Sequence, residues 1–86
     1  MGKVAVTYRI LPEGTEIDLS QLEKSIRDTL GSKLVRLETK PVAFGLKALM
    51  ATVLVDDGSG DGEKIESSLG TLQGVSSVET MEVGLV

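Results

Sequence analysis

From Lys3 to Leu11 the chain alternates, with Val4, Val6, Tyr8 and Ile10 on one parity and Ala5, Thr7 and Arg9 on the other. A period of two predicts a strand whose Val/Tyr/Ile face turns inward, and Pro12 stops it. After a Pro12–Thr15 turn the period lengthens. Leu19, Leu22, Ile26 and Leu30 fall on one helical face, with Asp18 as N-cap, Gln21 three residues on, Ile17 and Leu22 as a hydrophobic staple and Gly31 as the terminating residue. Leu34 to Thr39 reads as a second strand, and the charges at Arg36, Glu38 and Lys40 suit a sheet edge.

The run from Leu46 to Val55 is too short to cross a membrane and too apolar for a surface segment. It predicts a central strand with Leu49, Ala51, Val53 and Val55 toward the core. The other set, Leu46, Ala48, Met50, Thr52 and Leu54, faces outward while staying largely apolar. Asp56 to Gly62 breaks the pattern, and Glu63 to Leu72 resumes it as a second helix with Ile65, Leu69 and Leu72 inward, weakened by Gly70, at which the last turn frays or the helix ends. Val75 to Val86 predicts a fourth strand whose broken alternation points to a bulge or a break.

The order β-α-β-β-α-β predicts an α+β fold: a split βαβ unit with a four-stranded antiparallel sheet, strands one and three central and both helices on one face. The opposite face would then be open, with Leu46, Ala48, Met50 and Leu54 forming an apolar patch. These residues are either only modestly exposed or under a neighbouring loop, or the patch is covered by a second copy or a different protein.

Composition narrows the function. The 86 residues predict a single domain, 1–86, and the net charge of −4 with nine scattered basic residues argues against sequence-independent nucleic-acid binding. The sequence contains no Cys, His or Trp. Thiolate metal sites and disulfides are therefore excluded, and the commonest general base is missing, so an enzyme is not expected. With neither a signal sequence nor a long apolar span, a cytoplasmic protein is expected. Asp57-Gly58-Ser59-Gly60-Asp61-Gly62 imitates the start of a calcium loop, but its twelfth place is Ser68 and a strand precedes it. As a phosphate cradle it has the wrong spacing and too many carboxylates. An acidic turn in which Ser59 or Asp61 caps the second helix is the simpler reading.

What remains is the loop Lys40 to Lys47. Phe44 is the only Phe, flanked by Pro41, which stiffens the approach, and by Gly45, which permits an unusual turn. Two readings stand open: a core plug folded over the sheet edge, or an aromatic anchor entering a partner's pocket with Lys47 beside it for steering.

The run Pro41-Val42-Ala43-Phe44-Gly45-Leu46-Lys47-Ala48-Leu49, the element order, Asp56-Asp57 after the strand and the chain length together resemble the archaeal elongation factor 1-beta family. The chain also looks like the C-terminal exchange domain of the eukaryotic counterpart. The resemblance spans all 86 residues, although only the central motif is distinctive. It implies a ferredoxin-like fold and a guanine nucleotide exchange factor that promotes GDP release from elongation factor 1-alpha, so that GTP replaces it. It further implies partner contact through Pro41, Phe44, Gly45 and Lys47, and Met50 on the outward set of the central strand is expected to join them; no cofactor, metal, nucleic acid or membrane is expected, and the chain is expected to be a monomer. The eukaryotic domain carries a penultimate Lys where this chain has Leu85, so a Lys-driven displacement of magnesium is not carried over. Exchange by distortion of the nucleotide site is expected instead. The alternative from another class is a ferredoxin-like small-molecule-sensing regulatory domain that dimerises through its open sheet face.

Overall fold

The computed structural model describes residues 2–42, 45–56 and 61–85. The elements are β1 (Lys3–Pro12), α1 (Leu19–Leu30), a 3-10 turn (Gly31–Lys33), β2 (Leu34–Pro41), β3 (Lys47–Asp56), α2 (Asp61–Gly70) and β4 (Val75–Leu85). The strands form one antiparallel sheet in the order β2-β3-β1-β4. β1 and β3 are central, as their patterning predicts, and the charged β2 is an edge.

One face of the sheet is dry. Val4, Val6, Tyr8 and Ile10 of β1 and Leu49, Ala51, Val53 and Val55 of β3 are buried in a single cluster with Leu22, Ile26 and Leu30 of α1 and Ile65 and Leu69 of α2. Both helices therefore cover the same face, and the fold is ferredoxin-like α+β. Burial of these side chains is the main stabilising term, since each fully buried aliphatic side chain contributes about 1.5–3 kcal/mol. The Tyr8 hydroxyl reaches out of the cluster and donates to the Gly62 carbonyl at 2.9 Å, tying β1 to the first turn of α2.

α1 begins as its sequence dictates. Asp18 is extended, and its Oδ1 accepts from the Ser20 and Gln21 N–H groups at 3.0 and 3.4 Å. Gly31, at φ +56, ends the helix with its N–H donating to the Arg27 carbonyl. α2 begins two residues earlier than the spacing suggests, and it ends at the glycine that was expected to weaken it. It stops at Gly70, where helix propensity falls, and the Thr71 and Leu72 N–H groups fold back onto the carbonyls of Ser68 and Leu69. Leu72 thus lies beyond the helix, although it still packs on the core.

β4 explains its own broken alternation. The register against β1 shifts twice, passing over Ser76 and Met81. With these bulges Val75 and Val78, of opposite parity, both pack on the core, while Val83 opposes Val6 but stays 65% exposed. β2 carries a similar irregularity at Val35, which is skipped in the pairing with β3. Bulges on both edges discourage pairing with other strands.

Candidate functional site

The expected contact residues lie on and below the β2–β3 hairpin. Pro41 closes β2 opposite Lys47, and inside that pair the Val42 N–H donates to the Leu46 carbonyl at 2.8 Å. Residue 45 therefore sits in a tight reversal, and Gly45 takes φ +76, a conformation that L side chains rarely adopt. Pro41, Val42, Gly45 and Lys47 are all exposed. Phe44 and Ala43 lie outside the described residues, as do Asp57 to Gly60 of the acidic turn.

The tip does not stand alone. Gly45, Leu46 and Lys47 line a cavity of about 200 Å³ with Thr15, Ile17 and Leu19 of the β1–α1 connection. That connection is in turn held by the Glu13 N–H, which donates to the Gly74 carbonyl at 2.8 Å in the α2–β4 turn. Gly74 has φ +92, and a methyl added there would meet Ile17 at 3.4 Å. Three connections are thus assembled at one end of the sheet around the hairpin.

Met50 is placed differently. It lies further along β3, between Arg9 of β1 and Glu38 of β2, half-buried on the face away from the helices. Here the structure corrects the expectation of an apolar patch. Ala48 is 1% exposed, and Leu46 precedes the strand and lines the tip cavity instead. Parity assigned these side chains to an outer face, but a small side chain between neighbours on both sides lies below the surface that those neighbours define. Met50 and Leu54 remain, half-buried, among polar groups.

Those groups form a pattern that β3 alone did not reveal. Across the open face Arg36, Thr52, Thr7 and Glu82 align in one row, and Glu38, Met50, Arg9 and Glu79 in the next. The Thr7 and Thr52 hydroxyls lie 3.1 Å apart, Arg9 Nη2 meets Glu79 at 2.7 Å, and Arg36 approaches Glu38 at 3.6 Å. Arg9 Nε is buried with no acceptor. The first row, with Glu38 and Met50 of the second, borders a groove of about 520 Å³. The signal was present in the sequence as the outward parity of β1 and β2 and as the broken alternation of β4, which pointed to a bulge without placing it at Met81, where it turns that side chain into the groove.

At the far end of the sheet Lys3 Nζ lies 2.8 Å from Asp56. That hydrogen bond, and then the Lys3 charge, hold the Asp56 carboxyl below the usual carboxylate range. Among the described residues no three His, Cys, Asp or Glu side chains are grouped to hold a metal ion. Nor is any helix among them long and apolar enough to cross a membrane.

Residues 5–86 match the family model of the EF-1 guanine nucleotide exchange domain. The chain belongs to this family. Among its relatives, elongation factor 1-beta of Methanococcoides burtonii is 43% identical over 86 residues, covering 98% of this chain and 97% of that protein. The protein of the same name from Halobacterium salinarum is 41% identical, covering 98% of each chain. That from Natronomonas pharaonis is 38% identical over the full length of both. Membership makes this chain a guanine nucleotide exchange factor of translation elongation, as the central motif implied.

Proposed function

We propose that residues 1–86 act as one exchange domain that binds the GTPase elongation factor 1-alpha as a monomer, in its GDP-bound and nucleotide-free forms, and promotes GDP release so that GTP is loaded. The family match across residues 5–86 carries this reading. The geometry supports it by offering an exposed hairpin tip, with Pro41, Gly45 and Lys47 together, braced by two neighbouring connections. Phe44 within that hairpin is the proposed anchor, Lys47 the steering charge, and Met50 a contact on the sheet below.

The work required is thermodynamic. Exchange needs no proton transfer and no covalent intermediate, and a chain without His or Cys is adequate for it. The factor and GDP each weaken the other's binding to the GTPase by the same coupling free energy, and GTP later expels the factor. The bracing of Gly45, Leu46 and Lys47 against the β1–α1 connection serves this purpose, because a contact that yields cannot transmit distortion to the nucleotide site. A coupling of about 1.4 kcal/mol changes affinity tenfold, which a few contacts supply.

Linkage provides the test. The factor should bind nucleotide-free elongation factor 1-alpha more tightly than the GDP complex, by the same ratio as it weakens GDP binding. Equal affinity for both forms would overturn the proposal.

A further inference from the structure

The open sheet face is a trough of definite size. Its floor is laid by the central strands and is low: Ala5 and Thr7 of β1 beside Thr52 and Met50 of β3. Longer side chains stand along the edges, with Arg36 and Lys40 on β2 and Met81 and Glu82 on β4. The edge strands are three strand spacings apart, about 14 Å, and the rows from Ala5 to Arg9 extend a further 14 Å or so along the strands. An α-helix with its side chains is about 10–12 Å across, so about two and a half turns fill this trough.

The walls differ in charge. Among the described residues Lys40 and Glu82 have no ion-pair partner, whereas Arg9 is engaged by Glu79 and Arg36 by Glu38. The charge left unpaired is therefore positive on the β2 wall and negative on the β4 wall. Between them the floor offers two hydroxyls and a thioether, neither strongly apolar nor charged.

We infer that this trough docks a helix of the GTPase partner, laid along the strands, with acidic residues toward β2, basic residues toward β4 and small or apolar residues on the floor. The inference rests on the exchange reading and extends the contact from the hairpin tip across the sheet. Lys40 and Met50 join the two, since Lys40 is next to Pro41 and both line the trough. Electrostatic complementarity of this kind fixes the register of the docked helix and speeds encounter.

The experiment titrates wild-type factor, Glu82→Lys, Lys40→Glu and Thr52→Trp into elongation factor 1-alpha loaded with fluorescent GDP, with sedimentation and thermal melts of each factor alone. Glu82 lies across the sheet from the hairpin tip, and its exposed side chain can be reversed without disturbing the core. Each variant should stay folded and need at least about tenfold more factor for half-maximal release, and added salt should narrow the deficit of the charge variants. Wild-type release with all three variants within about twofold of it would overturn the inference while leaving the exchange reading intact. A wild-type dimer split by the same substitutions would assign the trough to a second copy and also overturn it. Absence of release by the wild type would remove the exchange reading and the docked helix with it.

Discussion

Gly45 is the residue at which hairpin shape and exchange meet. Its φ of +76 lies in the left-handed region, and a methyl placed on it would approach Thr15 Cγ2 at 3.9 Å, an ordinary contact. Sterics beyond the backbone therefore contribute little to the effect of Gly45→Ala. Holding an L-residue at positive φ costs about 1–2 kcal/mol. The reduced freedom of the unfolded chain offsets about 0.4–1 kcal/mol of that. A net loss of about 1 kcal/mol is expected, about a fivefold change in the folded-to-unfolded ratio. Gly45→D-Ala reverses the backbone preference, so it should be as stable as wild type or slightly more so. An 86-residue chain is short enough to assemble by peptide ligation, and urea melts then compare the three proteins directly. If the hairpin relaxes instead of holding the strain, the L-variant keeps its stability but needs more factor for half-maximal GDP release. Equal stability and equal exchange for all three chains would refute the requirement for positive φ at this position.

Three further outcomes are expected. Tyr8→Phe, by removing the bond to the Gly62 carbonyl, should lower stability by about 1 kcal/mol in urea melts. Burial, and secondarily Glu66, raises the Tyr8 pKa above the model-peptide value near 10, so stability is full below about pH 10 and declines as pH rises through the folded value; melts from pH 9 upward should show this decline in wild type and less of it in the Phe variant. Asp18→Ala leaves the Ser20 and Gln21 N–H groups without their carboxylate acceptor and should cost about 1 kcal/mol, read by thermal denaturation. Phe44→Ala, if Phe44 anchors the partner, should weaken exchange by about 2 kcal/mol or more with stability within about 0.5 kcal/mol of wild type; a stability loss of about 3–5 kcal/mol with normal exchange by the folded fraction would make Phe44 a core plug.

The central strand and the first helix were the most legible parts of this sequence. Leu49, Ala51, Val53 and Val55 announce their burial by strict alternation, and Asp18 and Gly31 mark the ends of α1, because local geometry and burial there favour the same residues. Where the period breaks, inspection of a single strand was insufficient. The bulges at Ser76 and Met81 depend on how β4 pairs with β1, and nothing within β4 fixes that pairing. At the end of α2 the sequence offered two stops, Gly70 and Leu72, and the low helix propensity of Gly70 outweighed the apolar spacing that included Leu72.

The candidate site divides along similar lines. Gly45 signalled its turn through residue type, and Pro41 and Lys47 were brought together by the hairpin they close. β3 alone makes the open face look apolar, although its outward side chains are half-buried or fully buried in the sheet. Its character comes from Arg36 and Lys40 on one neighbour and Glu79 and Glu82 on the other side, residues that meet only once strand order and register are set. Charged edges of that kind are legible as edges, but their alignment into walls of opposite sign is a property of the assembled sheet.

The most direct measurement of the central claim is the rate at which prebound fluorescent GDP leaves elongation factor 1-alpha when chased with excess unlabelled nucleotide, with and without this protein. The rate should rise with factor concentration to a plateau well above the spontaneous rate, with no nucleotide hydrolysed by the factor itself. A dissociation rate unchanged at saturating factor would contradict that claim.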